Sequence, residues 1–242
     1  MSPAGLFVTG TDTGVGKTRV TCWIARQLRA VGIRAGVCKP AATGAERVGQ
    51  RWIWPDIQAL RAVCPIDVSE EWIGPYCWRL PLAPPVADSF EPPLVGLPAP
   101  DLDDFVKALD RWAGNCDVLL VEGTGGLLCP LTRASTIADL AARWGRPVLV
   151  VARLGLGTLN HTLLTLEAAE RRSLPVCGVL MNASDSTPID LAGQTNPDAL
   201  RRFTPLPVWG PVPFHDDPAT IPNVITQIDW DQLIRDANRE TP

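Results

Sequence analysis

The chain has 242 residues, of which 46% are hydrophobic and 20% charged, a balance that suits a globular protein with a sizeable core and argues against wholesale disorder. A formal net charge of -4 and a pI near 5.2, with Lys and Arg scattered along the chain, disfavour a nucleic-acid partner. No apolar run approaches the roughly 18–20 residues that cross a bilayer, and the N-terminus lacks a basic segment followed by an apolar stretch and cleavage site, so the expectation is a cytoplasmic protein with no membrane partner.

Leu6 to Thr9 reads as a short strand, followed by a Gly-rich turn and a helical stretch from about Lys17 to Val31 that stops at Gly32. Ala35 to Cys38 is a second strand, ending at the turn Lys39-Pro40-Ala41-Ala42-Thr43-Gly44. The segment from Pro75 to Pro100 holds eight prolines and reads as an irregular excursion, packed on the domain through Tyr76, Trp78, Phe90 and several leucines. Val118 to Val121 is a continuous apolar run, typical of a strand buried on both faces. Pro147 to Ala152, Val176 to Met181 and Val208 to Val212 repeat the strand pattern, with a helical stretch from about Thr158 to Arg172 between the first two. A last helix is expected near Ile228 to Asn238. Strands alternating with helical segments predict an α/β fold, doubly wound, with a mostly parallel sheet flanked by helices and one domain over residues 1–242. Seven cysteines without a CxxC pair are best read as buried, reduced thiols rather than a zinc site.

Gly10 to Thr18 nearly fits the P-loop pattern GxxxxGK followed by Ser or Thr, but five residues, not four, separate Gly10 from Gly16. Between a strand and a helix, Gly14, Val15 and Gly16 can still turn their N–H groups onto a phosphate. Lys17 would reach the β- and γ-phosphates and Thr18 would bind Mg2+. Glu122 follows a buried strand whose carboxyl end should border the ligand crevice, which makes it a candidate Mg2+ ligand. Gly123, Thr124 and Gly125 leave room there for a nucleotide. Lys39 ends the second strand in the same way and could neutralise charge during phosphoryl transfer. As a crevice lysine, it should matter little to the core. Asp56 precedes an apolar helical pattern, where a helix N-cap is the ordinary role. Asn182, with Ala183 behind it, ends another strand at a position suited to a base edge. Asn182 to Asp185 has the NxxD spacing used for guanine but lacks the usual lysine, so base identity stays open.

FVTGTDTGVGKT (Phe7 to Thr18), CKPAATG (Cys38 to Gly44), LLVEGTGG (Leu119 to Gly126) and LGTLNH (Leu156 to His161) resemble the dethiobiotin synthase family in content and order, over about two thirds of the chain. In that family the extra P-loop residue is normal, and the Lys39 to Gly44 element is the most discriminating piece. The resemblance implies a P-loop NTPase-type fold and a ligase that closes the ureido ring of dethiobiotin from 7,8-diaminopelargonate and CO2 with Mg2+ and ATP. Carried over, Lys17, Lys39 and Thr13 would act at the reacting groups, with Thr43 also on the carbamate or diamine. Thr18, Asp56 and Glu122 would hold Mg2+. The nucleotide would lie on Gly14 to Arg19 and Gly123 to Gly125, with its base against Asn182, Ala183, Pro213, Phe214 and His215. The family acts as a homodimer, with the substrate carboxylate at the partner's helix N-terminus, here Gly157 to Asn160. Two positions depart from the family pattern: Gly14 stands where many members have glutamate, and Ala83-Pro84-Pro85-Val86 replaces an SPH-like element. The rivals are an amide-forming cobyrinic acid synthase, which usually carries a glutaminase domain, and a ParA/MinD-like ATPase switch. The switch proteins bear a signature lysine early in the P-loop, where this chain has Asp12.

Overall fold

Runs such as Val118–Glu122, buried at every position, have no solvent face to offer and can only be interior strands. The computed structural model describes residues 3–217 and 219–240 and gathers six strands, most of them largely buried, into one sheet. They are β1 (Ala4–Gly10), β2 (Ala35–Cys38), β3 (Val118–Glu122), β4 (Val148–Arg153), β5 (Val176–Asn182) and β6 (Val208–Val212). The spatial order is β6-β5-β4-β1-β3-β2, and every neighbouring pair is parallel. Helices flank the sheet, as the alternating pattern predicted. Among them α1 (Lys17–Ala30) packs on β1, β2 and β3, and α2 (Pro55–Val63) packs on α1.

Close packing of helices on the sheet rests partly on glycine. A Cβ on Gly5 would lie 2.5 Å from the Trp144 ring, and one on Gly36 would lie 2.6 Å from that of Trp112, so each strand glycine makes the space an indole fills.

Helix ends differ from the expected ones for local reasons. The helix Thr158–Glu170 stops short of Arg172 because Ser173 takes a left-handed φ of 52°. The last helix, Trp230–Glu240, starts after Asp229, whose carboxylate accepts the Gln232 N–H at 3.0 Å. A hairpin of Glu46–Val48 and Arg51–Ile53, turning at Gly49, was not anticipated.

The Pro-rich segment is ordered. Tyr76–Cys77 pairs in parallel with Ala41–Ala42, and Pro84 and Pro85 open a helix, Pro84–Phe90, at the turn where a missing N–H costs nothing. Trp78 is 1% exposed, as an anchor should be, but Phe90 is 73% exposed and Leu94 and Leu97 also face outward, so the expected burial of Phe90 fails. The seven cysteines are free, and burial pushes the thiols of Cys22, Cys38, Cys77 and Cys177 up to about 12. Among the described residues no helix is long and apolar enough to cross a membrane.

Candidate active site

The carboxyl ends of β1, β2 and β3 lie side by side and deliver the chemistry to one place. After β1 the chain turns through Gly14 (φ 75°) and Gly16 (φ 95°) and enters α1 at Lys17. Both values lie in the left-handed region that glycine adopts without cost. The loop rests on β5: the Asn182 amide donates to the Val15 carbonyl at 3.0 Å, and a Cβ on Gly16 would come within 2.3 Å of the same Asn182 nitrogen.

Beside the loop stands a cluster of charge. Lys39, at the end of β2, places its Nζ 2.6 Å from Glu122 Oε1 and 2.7 Å from Asp56 Oδ2. Lys39 is 5% exposed and Glu122 0%. Burial opposes the Lys39 ammonium, but Glu122 and Asp56 outweigh it and hold its pKa above the ordinary lysine value. The Asp56 carboxyl is likewise penalised by burial, and Lys39 overcomes this and holds it below the usual carboxylate range. Asp56 is not the helix cap that its local sequence suggested: Trp54 precedes α2, Pro55 fills the first turn, and the Asp56 side chain turns back to Thr18 and Lys39.

The Thr18 hydroxyl lies 2.7 Å from Glu122 Oε1 and 2.9 Å from Asp56 Oδ1. One hydroxyl carries one proton, so it cannot satisfy both carboxylates at once. Glu122 Oε2 is also buried without a partner. Three convergent oxygens and an orphaned carboxylate oxygen suit a divalent cation that takes two carboxylates and keeps positions for water and phosphate, as Mg2+ does. Among the described residues no group of three or more His, Cys, Asp or Glu offers a denser metal site.

These groups line a cleft of about 620 Å3 together with Thr13, Gly14, Gly16, Lys17, Arg19, Thr43, Thr124 and Gly125. Thr124 is fixed by donating its hydroxyl to the Ala41 carbonyl. Val15 is buried beneath the loop, and the Gly123 N–H is spent on the Val8 carbonyl. Asn182 is 1% exposed and lies behind the loop with its Oδ1 unpaired, while the Ala183 N–H is taken by the Val212 carbonyl. Phe214 and His215 reach the cleft through Arg19, whose guanidinium sits 4.6 Å above the Phe214 ring and donates to the His215 carbonyl. Gly157 and Asn160 are exposed and do not line the cleft. Sequence reasoning missed Cys129 and the wall formed by Pro81, Leu82 and Ala83. The only signal for that wall was the departure from the family pattern at Ala83.

Residues 4–220 match the AAA domain family. Among curated proteins, the ATP-dependent dethiobiotin synthetase BioD of Anaeromyxobacter dehalogenans is 47% identical over 186 residues, spanning 74% of this chain and 76% of the relative. The protein of the same name from Thermodesulfovibrio yellowstonii is 37% identical over 218 residues, spanning 87% of this chain and 89% of its own. The chain belongs to the dethiobiotin synthetase family. Like its relatives it is an ATP-dependent ligase of biotin biosynthesis. The cell division ATPase MinD of Pyrococcus furiosus superposes with a TM-score of 0.51 over 99% of this chain and 98% of that one, at 18% identity. A ParA family ATPase from Chlorobium tepidum gives 0.50 at 12% identity, covering 99% of this chain and 98% of its own. At those identities the likeness is one of fold, and the switch reading yields to the synthetase family.

One property of the synthetase cleft is open to direct test. Lys17 donates to the Asp12 carbonyl at 2.8 Å, and burial together with the like charge of Lys39 lowers its pKa to about 8. A bound polyphosphate would restore the charge, so ATP binding is expected to take up about half a proton at pH 8 and almost none below pH 7, where Lys17 is already protonated. Calorimetry in two buffers of different ionisation enthalpy reads the uptake directly. Lys17→Met should abolish it.

Proposed function

We propose that the chain closes the ureido ring of dethiobiotin from 7,8-diaminopelargonate, CO2 and ATP, in the cytoplasm and as a homodimer. The observation that carries this reading is Lys39, held between Asp56 and Glu122 against Thr18 at the mouth of a P-loop. A cation so placed faces both the end of a polyphosphate and whatever attacks it.

In the reaction, one amine of the substrate adds to CO2 and loses a proton, giving a carbamate. A carbamate oxygen attacks the γ-phosphorus and ADP leaves. The second amine then attacks the carbamate carbon and loses a proton, phosphate departs with the C–O bond pair, and the ring is closed. Lys17 and Lys39 stabilise negative charge on the phosphates and the carbamate, which is worth most in a site shielded from water. Thr13 and Thr43 orient the carbamate and the diamine by hydrogen bonds. Thr18, Asp56 and Glu122 would hold Mg2+, which would supply positive charge to offset that of the phosphates. The P-loop N–H groups take the phosphates, with Thr124 and Gly125 closing the far side. Arg19, Phe214 and His215 flank the base, with Pro213 leading into that turn. Asn182 keeps a buried Oδ1 that an adenine amino group would satisfy.

The homodimer is supported by Gly157 and Asn160, which stand exposed at the N-terminal end of Thr158–Glu170, a favourable place for a carboxylate belonging to a partner's substrate. Leu156 and Leu164 leave apolar surface exposed on the same segment. The reading is tested by following phosphate release. It should require ATP, the diamine and bicarbonate together. Steady ATP hydrolysis without the diamine, accelerated by lipid vesicles or DNA, would overturn it in favour of a switch ATPase.

A further inference from the structure

Trp54 precedes α2, yet its side chain caps no backbone group of that helix. Instead its indole Nε1 donates to the Trp78 carbonyl at 2.8 Å. Trp78 is a junction. Its N–H donates to the Ala42 carbonyl at 2.8 Å, just before Thr43, and its indole reaches Asp88, in the helix Pro84–Phe90, at 3.3 Å. Beyond Trp78 the chain forms the wall Pro81-Leu82-Ala83, and Gly44 and Ala45 fasten its approach through N–H bonds to the Leu80 and Arg79 carbonyls at 3.2 and 2.9 Å. Arg79 lies 5.4 Å over the Trp52 ring and pairs with Glu91, which adds a second tie between the hairpin and the wall. On the other side of Trp54, with only Pro55 between them, Asp56 delivers its carboxylate to Thr18 and Lys39. Proline fixes φ, so the link from the indole to that carboxylate is short and stiff.

We propose that Trp54 is a positioning residue: its indole bond to the Trp78 carbonyl holds the Pro81–Ala83 wall and the Asp56 carboxylate as one unit, and so sets how the diamine is presented to the phosphate-facing groups. The proposal rests on the ring-closing reading above. The wall supplies apolar surface beside Thr43 for the hydrocarbon part of the substrate, whereas the P-loop is built on β1 and α1 and meets the tie only through the Asp56 carboxylate at Thr18.

Trp54→Phe keeps a ring and removes the donor. It is expected to raise the KM for the diamine about fivefold and that for Mg-ATP, which feels the tie only through Asp56, by about twofold at most. Amide hydrogen exchange should rise together in residues 54–57 and 79–83, because one lost bond frees both segments. Leu82→Ala trims the wall and leaves the indole bond in place, so it should raise the diamine KM with exchange at residues 54–57 unchanged. The proposal is overturned if Trp54→Phe leaves the diamine KM unaltered, raises both KM values alike, or loosens residues 54–57 alone. A wild-type enzyme that releases phosphate without the diamine would instead sink the ring-closing reading, so the two failures are distinct.

Discussion

Lys39→Ala is expected to lower turnover by about 100- to 1000-fold, the range for deleting one group that stabilises developing charge in a desolvated site. It should also cost about 3–5 kcal/mol of stability, because Glu122 is left buried without its cation. The second effect departs from the sequence-based expectation that a strand-end lysine would matter little to the core. Lys39 does line the cleft, as that expectation held, but its ammonium is buried and doubly paired. Two measurements separate chemistry from folding. Lys39→Met combined with Glu122→Gln removes both members of the buried pair and should recover most of the stability in a urea melt, yet stay inactive. A Lys39→Ala protein that melts like the parent would show that the ion pair carries no net stability.

Gly16→Ala is expected to reduce kcat/KM about 100-fold, the scale on which small misplacements of reacting groups act. Gly16 has a φ of 95°, and a Cβ there would meet the Asn182 amide at 2.3 Å. Either the loop shifts or Asn182 surrenders its bond to Val15, and each moves the phosphate-binding N–H groups. The contrast is Gly14→Ala. Its φ of 75° brings the same class of strain, about 1–3 kcal/mol, but nothing lies within 4 Å of the added carbon. Gly14→Ala should therefore retain far more activity than Gly16→Ala, read as kcat/KM for ATP.

Nothing lies within 4 Å of a Cβ at Gly14, so the departure from the family pattern there leaves the packing of the loop unchanged. Lys39 and Glu122 were legible because a parallel sheet puts strand carboxyl ends at one edge, so residues 83 apart in the chain could be assigned to one crevice. Asp56 was harder. Its neighbours suggested a cap, and only the 38-residue reach to Thr18 gives it another role. The family resemblance supplied what local pattern withheld. The wall at Pro81–Ala83 and the Trp54–Trp78 tie were not legible, because proline-rich chain has no period to read and its packing depends on which indole finds which carbonyl. Phe90 shows the same gap from the other side, an aromatic residue that composition assigned to the interior and that the fold leaves outside.

The parallel sheet also has a kinetic side. β1 pairs with β3 and β4, strands more than a hundred residues away, and the Asn238 side chain closes on both backbone groups of Gly5 at 3.2 and 2.8 Å. Such distant pairings pay their loop-closure entropy early and return it late, so folding should be slow and the catalytic pocket should be among the last features to form. Nucleotide affinity then becomes a checkpoint on assembly: a chain that has gathered only β1 and α1 owns the P-loop sequence but lacks the acids of β3 and α2, and ATP will favour the finished sheet over every earlier form.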